Sequence, residues 1–385
     1  MGTKTALTRR GFMANAALGA ASIGLATSSG LSALARCPEV DAGAGVNPLR
    51  LNRNESPYGL APAAAEALKS AVDPKSSRYP IEEPKVLIEA IAKRFGVEID
   101  NVILGYGSTE ILKMATESFC NSARGALVAE PTFEAVVGYC PFIHARAQKI
   151  KLNASYRHDL PKMLRASQSA GMIFFCNPSN PAGTYIGKQE TERFIRKLPR
   201  GPVLLADEAY AEYATAPDYE SCVRFVKEGL PVVVSRTFSK IYGMAGLRVG
   251  YAIGRKDLIK RMAKRQLVNN PNQLAVAAAL AALKSDGEFV DRNRKLNAEV
   301  RDYVCHEATE MGLTFIPSQT NFVMIGVNRP AKPLIEELKK RKMLVGRLFP
   351  SLPNHLRVSF GTMSEMKEFM KEFKEVVSVQ ASRRV

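Results

Sequence analysis

The chain has 385 residues, 46% of them hydrophobic and 24% charged, and its 54 Lys and Arg against 37 Asp and Glu give a formal charge of +17. These proportions are ordinary for a globular protein and exclude a disordered, a collagen-like or a small disulfide-stapled chain. The length predicts two domains, or one large α/β unit with a lobe. The positive charge alone is compatible with nucleic acid, a membrane surface, acidic small molecules or simple solubility.

Residues 1–35 have the composition of an export signal. Their only charges are Lys4, Arg9 and Arg10, and the Ala-, Gly- and Ser-rich remainder ends in Ala33-Leu34-Ala35. A basic start, a mildly apolar middle and a small-x-small box predict a secretory signal peptide. The segment 8–13, TRRGFM, resembles a twin-arginine signal. An ordinary Sec signal or an uncleaved anchor is the alternative, but the middle is weakly apolar for a lasting membrane span.

Removal of this segment would leave 350 residues and, without its three positive charges, a net charge of +14. We expect export to the periplasm through the twin-arginine machinery, with a cytoplasmic location as the alternative and no stable membrane anchor. The six cysteines form no CxxC pair, and the four histidines do not join them at zinc-ligand spacing. We therefore expect buried free thiols and no metal site.

Short apolar runs alternate with helical patterns between about residues 80 and 265. This alternation is typical of a largely parallel sheet covered by helices on both faces. A long helical stretch is predicted from Gln273 to about Met311. The last 70 residues predict a smaller α+β unit with strands near 321–326 and 355–359 and helices at 333–340 and 364–377. The predicted sheet strands are 101–104, 125–129, 172–176, 202–206, 231–235 and 248–254.

Polar chemistry follows directly after these strands, where an open α/β sheet binds its ligands. The first strand leads into GYGSTE at 105–110, where a helix N-terminus could hold an anion, although such turns are also common without a ligand. The next strand ends lead into NPSNPAG at 177–183, DEAY at 207–210 and RTFSK at 236–240. Taken singly, a carboxylate or a lysine here could be a structural charge. Together they suit a cofactor with a pyridine nitrogen, a phenolic oxygen, an aldehyde and a phosphate.

At this point the sequence resembles the fold-type I aminotransferases that use pyridoxal phosphate, in particular the histidinol-phosphate aminotransferase branch. The resemblance covers nearly all of residues 47–375. Besides the strand-end motifs, it rests on LNRNESPYG at 51–59, RYP at 78–80, PTF at 131–133, the stretch 235–250 and LRVSFG at 356–361.

The family resemblance implies a domain organisation. It comprises a large domain with a mostly parallel seven-stranded sheet between helices, and a smaller α+β domain. On the sequence, residues 36–79 would form an N-terminal arm and part of the small domain, and residues 80–270 the large cofactor-binding domain. Residues 271–385 would form an interdomain helix and the rest of the small domain.

The resemblance also implies roles for individual residues. Lys240 would hold the cofactor as a Schiff base and move the proton, and Asp207 would face the pyridine nitrogen. Asn180 and Tyr210 would donate hydrogen bonds to the phenolic oxygen, and Phe133 would stack on the ring. Arg357 would clamp the substrate α-carboxylate. The cofactor phosphate would be held by Ser108, Thr109, Thr237, Ser239 and Arg248, joined by Tyr79 from the neighbouring subunit of a homodimer.

The substrate side is less constrained by sequence. Tyr58, Arg347 and Asn54 are further candidate substrate-binding residues, but Arg347 could be a rim charge, and Tyr58, Phe133 and Thr237 could be packing residues. The segment 268–272 has no aromatic beside its proline, although the histidinol-phosphate branch usually has one. That departure, and the export signal, favour an amino donor other than histidinol phosphate.

Other reactions are possible on the same scaffold. We expect transfer of an amino group from an L-amino acid or related amine to a 2-oxo acid, because Arg357 would hold the carboxylate in place. A pyridoxal-phosphate lyase, decarboxylase or racemase is the alternative. A nucleic-acid-binding regulator is a remote one, because no basic arm or Lys/Arg run of five or more is present. We therefore expect no nucleic-acid partner.

Overall fold

The computed structural model describes residues 48–382, so the proposed signal peptide lies outside the described residues. The β-strands in this part of the chain are β1 Leu49–Leu51, β2 Val102–Gly105, β3 Ala126–Glu130, β4 Ala147–Lys151, β5 Met172–Cys176, β6 Val203–Asp207, β7 Val232–Thr237, β8 Gly250–Gly254, β9 Thr314–Ile316, β10 Phe322–Gly326, β11 Met343–Val345 and β12 His355–Ser359.

Seven of these strands form one sheet in the order β2-β8-β7-β6-β5-β3-β4. Strand β8 runs antiparallel to both of its neighbours, and the pairings among β3 to β7 are parallel. The predictions of an α/β fold and a mostly parallel seven-stranded sheet are therefore confirmed. Three strands form a second, antiparallel sheet in the order β12-β10-β9, and β1 pairs with β11 in a two-stranded parallel sheet.

Twelve α-helices are present in the described residues. They are α1 Pro62–Lys75, α2 Glu83–Phe95, α3 Gly107–Phe119, α4 Ala135–Tyr139, α5 Leu160–Ala166, α6 Lys188–Lys197, α7 Val223–Lys227, α8 Lys256–Ala263, α9 Gln273–Lys284, α10 Asp286–Glu310, α11 Lys332–Lys340 and α12 Met363–Ser382. No helix of this part of the chain is long and apolar enough to cross a membrane.

The central strands are buried on both faces because their apolar side chains alternate between two cores. In β5, Ile173 and Phe175 enter the first core, whereas Met172, Phe174 and Cys176 enter the second. This two-residue period is what a pleated strand imposes on its side chains. Helices on both faces leave the ends of the strands as the place where polar side chains can gather.

The three-stranded sheet has a core of its own, which the long helix α10 joins to the first core. Phe289 and Val290, near the start of α10, pack in the first core, while Val300 and Val304 pack beside the three-stranded sheet. Leu51 of β1 also belongs to this core of the small sheet. The domain boundaries expected at 79/80 and 270/271 stay predictions.

Besides the short strands β1, β9 and β11, which were not expected, the observed elements differ from the sequence expectations in three places. The helix expected from Gln273 to Met311 is two helices, since Ser285 separates α9 from α10 with φ −112° and ψ 16°. Arg248, expected within a strand, lies before β8 with a left-handed φ of 59°. Strand β4 was not expected, because its sequence AQKIK contains no apolar run.

Candidate active site

Three neighbouring strands bring the predicted polar residues to one edge of the large sheet. Cys176 at the end of β5 lies beside Asp207 at the end of β6, and Asp207 lies beside Ser235 of β7. The turn that begins at Asn177, the segment 207–210 and the segment ending at Lys240 therefore leave the sheet together. This convergence follows from the parallel direction of the strands.

Lys240 lies just beyond β7 and is partly buried. Its Nζ donates to the carbonyl oxygen of Asn54 at 3.1 Å and to that of Arg53 at 3.4 Å. Burial lowers the pKa of Lys240 to about 8, and the nearby positive charge of Arg357 acts in the same direction. Near neutral pH, the fraction of molecules in which Lys240 is a neutral, nucleophilic amine is therefore larger than for an ordinary lysine.

Asp207 ends β6 and is only 2% exposed. Its Oδ2 lies 4.0 Å from the Cys176 Sγ, and its Oδ1 has no hydrogen-bond partner among the described residues. Burial raises the pKa of Asp207 to about 7, against the lowering effects of the Ala209 backbone and of Lys240. A buried carboxyl with one unpaired oxygen is suited to a cationic or N–H partner.

Tyr210 lies 3% exposed beside these two residues. Its hydroxyl oxygen accepts hydrogen bonds from the side-chain amides of Asn54 at 2.9 Å and Asn180 at 3.2 Å. The Lys240 Nζ lies 5.7 Å from the centre of the Tyr210 ring. The structure thus brings Lys240, Tyr210, Asn180 and Asn54 together.

A second group of predicted residues gathers at the start of α3. Arg248 Nη1 donates to Ser239 Oγ at 3.2 Å, and its Nη2 lies 3.4 Å from Thr109 Oγ1. Ser239 Oγ also receives a hydrogen bond from Thr237 Oγ1 at 2.9 Å. Ser108 follows Gly107, the first residue of α3. A guanidinium, hydroxyls and a helix N-terminus together form a suitable anion site.

Gly107 allows this approach between α3 and Arg248. A Cβ at this position would lie 2.4 Å from Arg248 Nη2, and the φ of Gly107 is +66°. The backbone conformation therefore favours glycine, and a side chain here would displace the guanidinium group of Arg248. Glu110 supports the same turn by accepting a hydrogen bond from the Tyr106 N–H at 2.6 Å.

Arg357 reaches this edge from β12 of the small sheet. Its Nη1 donates to Asn180 Oδ1 at 3.2 Å and its Nη2 to the Asn52 carbonyl at 2.8 Å, while its buried Nε has no partner in the described chain. The guanidinium carbon lies 5.5 Å from the centre of the Phe322 ring. Burial lowers the pKa of Arg357 to about 10, so it remains charged at neutral pH and can bind a carboxylate.

The remaining predicted residues lie further out. Tyr79 is 73% exposed, and Tyr58 is half-buried with its pKa raised, mainly by burial. Phe133 is half-buried and packs against the second core. Arg347 is exposed and pairs with Glu134 at 2.6 Å. In the described part of the chain, no hydrogen bond or ion pair joins these four side chains to Lys240 or Asp207.

Two residues of the site were given no role by the sequence. Ser359 exchanges two hydrogen bonds with Asn54, and Glu134 pairs with Arg347. Ser359 lies two residues after Arg357 on β12, so strand periodicity puts both on one face and could have identified it. Nothing in the sequence marks Glu134, since its partner is distant in the chain. Among the described residues, no group of three or more His, Cys, Asp or Glu could hold a metal ion.

Comparison with known proteins finds similarity over most of the chain. The family model for aminotransferase class I and II matches residues 46–373. A histidinol-phosphate aminotransferase of Moorella thermoacetica is 35% identical over 334 residues, which cover 86% of each chain. Histidinol-phosphate aminotransferase 2 of Carboxydothermus hydrogenoformans is 37% identical over 334 residues, 86% of this chain and 91% of its own length.

Solved structures show the same fold. A putative histidinol-phosphate aminotransferase from Erwinia carotovora atroseptica superimposes with a TM-score of 0.83 at 27% identity, covering 86% of this chain and 97% of that chain. The histidinol-phosphate aminotransferase of Sinorhizobium meliloti in complex with pyridoxal-5'-phosphate gives a TM-score of 0.81 at 24% identity, covering 92% and 99%.

Proposed function

Since the chain belongs to the class I and II aminotransferase family, it is a pyridoxal-phosphate-dependent aminotransferase acting on amino and oxo acids, and we propose that Lys240 is the residue to which its cofactor is attached. The predictions of aminotransferase activity and of this cofactor are confirmed by family membership. The observation that carries the proposal is the placement of Lys240 beside a buried carboxylate, two arginines and a hydroxyl cluster at one sheet edge.

The residues present fit the cofactor. Asp207, with its unpaired buried Oδ1, would face a pyridine nitrogen, and Tyr210 with Asn180 would face the phenolic oxygen. The Phe133 ring would stack on the cofactor ring. The phosphate would lie near the start of α3, among residues that supply hydroxyl or N–H donors. These are Ser108, Thr109, Thr237, Ser239 and Arg248.

When bound, the cofactor supplies an electron sink for the bonding electrons of the substrate Cα–H bond. Lys240 then acts as the proton carrier, and its pKa of about 8 keeps a useful fraction in the neutral form that can accept a proton. Ionised Asp207 would hold a pyridinium charge in place, because an opposite charge favours ionisation of a buried carboxyl. Asp207, which is only 2% exposed, would be shielded from water when it faces the pyridine nitrogen.

Arg357 would fix the substrate by its α-carboxylate. Its planar guanidinium can form two parallel hydrogen bonds with a carboxylate, and its Nε has no other partner among the described residues. Asn180, which accepts from Arg357 and donates to Tyr210, would join the carboxylate site to the cofactor site.

Histidinol phosphate is a candidate amino donor because similar proteins carry that name at 35% and 37% identity. Arg347 and Tyr58 are the residues of this chain available for a distal phosphate at the rim. The absence of an aromatic from 268–272 and the negative partner of Arg347 favour a different donor, with an α-carboxylate and no distal phosphate.

A half-reaction screen tests this function. Purified holoenzyme is mixed with single amino acids or with histidinol phosphate, without any oxo acid, and the absorbance of the bound cofactor is followed from the aldehyde to the amine form. We expect conversion by at least one amino acid, and slower conversion by histidinol phosphate. No conversion by any donor would contradict the proposed activity, and preferential conversion by histidinol phosphate would assign that substrate.

We further propose a homodimer in which Tyr79 completes the site of the neighbouring subunit. Exposed apolar side chains occur in two segments, with Tyr79 73%, Ile81 70%, Leu267 58% and Val268 87% exposed. Gln273 Nε2 donates to the Tyr79 carbonyl at 2.7 Å and so holds the first segment to the start of α9. Apolar surface of this kind is typical of subunit interfaces.

Mixed dimers test the shared site. Lys240→Ala and Tyr79→Ala chains are each expected to be weakly active alone, and a mixture that exchanges subunits should regain activity, because one of its two sites is then intact. No regain after demonstrated exchange would place Tyr79 in its own subunit's site.

Export through the twin-arginine pathway is proposed from TRRGFM at 8–13 and the stretch up to Ala35. A pathway that carries folded proteins suits an enzyme that binds its cofactor before export. Fusion of residues 1–40 to a folded reporter should give periplasmic reporter, and export that survives Arg9→Lys with Arg10→Lys would contradict the proposal.

A further inference from the structure

Asn54 lies at the centre of the site although it was expected only as a substrate contact. It is 2% exposed and has a left-handed φ of 54°. Its carbonyl oxygen accepts from Lys240 Nζ at 3.1 Å and from Asn321 Nδ2 at 3.0 Å. The backbone oxygen and the side chain of Asn54 are therefore both hydrogen-bonded within the protein.

The hydrogen bonds between Asn54 and Ser359 fix the orientation of the Asn54 amide. The Asn54 backbone N–H donates to Ser359 Oγ at 2.9 Å, so the Ser359 hydroxyl is free to donate its own hydrogen to Asn54 Oδ1 at 2.8 Å. Because Oδ1 is the acceptor of this hydrogen, Nδ2 is the atom that faces Tyr210, at 2.9 Å from its hydroxyl oxygen.

The side-chain amide of Asn180 is oriented in the same way, in this case by Arg357. Arg357 Nη1 donates to Asn180 Oδ1 at 3.2 Å, which leaves Asn180 Nδ2 to donate to the Tyr210 hydroxyl at 3.2 Å. The N–H groups of Asn54 and Asn180 therefore both donate to the hydroxyl oxygen of Tyr210. A hydroxyl has two acceptor lone pairs and one hydrogen, and no described residue accepts that hydrogen from Tyr210.

We propose that Asn54 and Ser359 are positioning residues that fix the direction of the Tyr210 hydroxyl hydrogen, so that Tyr210 presents this hydrogen to the phenolic oxygen of the cofactor. The proposal rests on the proposed function for the identity of the acceptor. The relay runs from the Asn54 backbone through Ser359 and the Asn54 side chain to Tyr210. Ser359 lies on β12, so a residue of the three-stranded sheet would affect the protonation of the cofactor.

The consequence is a lower pKa of the lysine–cofactor linkage at Lys240. A hydrogen bond donated to the phenolic oxygen withdraws negative charge from it, and that charge would otherwise stabilise the protonated linkage. The other groups that act electrostatically on Tyr210 are Arg357, Cys176 and Asp207, and the Lys240 amine lies over its ring. A substitution at Asn54 or Ser359 removes none of these groups, and it retains the Asn54 carbonyl that accepts from Lys240.

The test is a pH titration of the absorbance of the holoenzyme. Asn54→Gly removes the amide and tolerates a positive φ, and Ser359→Ala removes only the hydroxyl that orients it. We expect the transition to move to higher pH by about 0.5–1 unit in Asn54→Gly, as for the loss of one hydrogen bond, and by less in Ser359→Ala. Asn328→Gly is the matched control, because Asn328 is exposed with a φ of 53°, and should leave the transition unchanged.

A double-mutant cycle separates this role from general support of the fold. In a Tyr210→Phe background, which has no hydroxyl hydrogen to direct, Asn54→Gly should cause no further shift. The proposal would be overturned if Asn54→Gly caused the same shift with Tyr210 present as in the Tyr210→Phe background. It would also be overturned if neither Asn54→Gly nor Ser359→Ala shifted the transition. A transition that persists in Lys240→Ala would instead contradict the proposed function, so the two failures are distinguishable.

Discussion

The cofactor side of the site and its rim are built from different kinds of position. Asp207, which ends a fully buried strand, and Tyr210, which follows it, are 2% and 3% exposed. Arg347 and Glu134 at the rim have side chains that are 52% and 56% exposed. Tyr79 is 73% exposed. Asp207 and Tyr210 are thus held in place by the sheet. Arg347 and Glu134 are exposed to solvent and form an ion pair with each other. We therefore expect changes at the buried end to affect the chemical step most, and changes at the exposed rim to affect the choice of substrate.

The largest expected effect is at Lys240. Lys240→Ala should lower turnover by on the order of 10³-fold or more, because both covalent attachment and proton transfer are lost. Lys85→Ala is a suitable control, since Lys85 is an exposed lysine paired with Glu82 at 2.9 Å. Turnover and the spectrum of the bound cofactor are the measurements. Retention of both in Lys240→Ala would mean that another group carries the cofactor.

Arg357 should follow, with an effect on substrate binding more than on the spectrum. Arg357→Gln should raise the KM for carboxylate-bearing donors roughly 10- to 100-fold, in line with the loss of a charge-assisted hydrogen-bond pair. The spectrum of the holoenzyme should be retained. An unchanged KM for amino acids, measured in the same assay, would remove Arg357 from the carboxylate site.

Asp207 should make the stability of the apoenzyme depend on pH. Its pKa is raised from 3.8 to about 7 by burial, so the folded state binds the proton more tightly than the unfolded state. The resulting stabilisation is present below pH 3.8 and is lost as pH rises toward about 7, at a cost of a few kcal/mol. Asp207→Asn should flatten the dependence of Tm on pH in this range. Lys240, whose pKa is lowered to about 8, titrates at higher pH, so its effect on stability does not overlap with that of Asp207.

The smallest expected effect is at the rim. Glu134→Gln should increase kcat/KM for donors with a distal anion by about two- to five-fold, because an exposed ion pair is worth about 0.2–1 kcal/mol and its loss frees Arg347. Donors without a distal charge should be unaffected. Equal changes for both classes of donor would show that Glu134 does not act through Arg347.

The sequence located the central strands well because the signals there are local. The central strands were placed within one or two residues, since continuous apolar runs mark strands buried on both faces. Strand β4 was missed because it lies at a sheet edge, where its lysines and Gln148 face solvent. The interruption between α9 and α10 at Ser285 is followed by the turn-forming pair Asp286-Gly287, which the expectation of a single helix did not take into account.

The hydrogen-bond relay and the rim could not be predicted from the sequence. Asn54 and Ser359 are 305 residues apart, and only folding brings them together. Glu134 and Arg347, which form an ion pair at the rim, are also distant in the chain. The assigned roles of all site residues, including Phe133, Tyr58 and Thr237, stay predictions until variants are measured.

Identification of the residue that carries the cofactor tests the central claim most directly. Holoenzyme is reduced with borohydride, which fixes a lysine-bound pyridoxal group irreversibly, and is then digested and sequenced by mass spectrometry. The structure predicts that the modification lies on Lys240 and that Lys240→Ala carries none. Modification of a different lysine in the wild-type enzyme, or of none, would contradict the assignment.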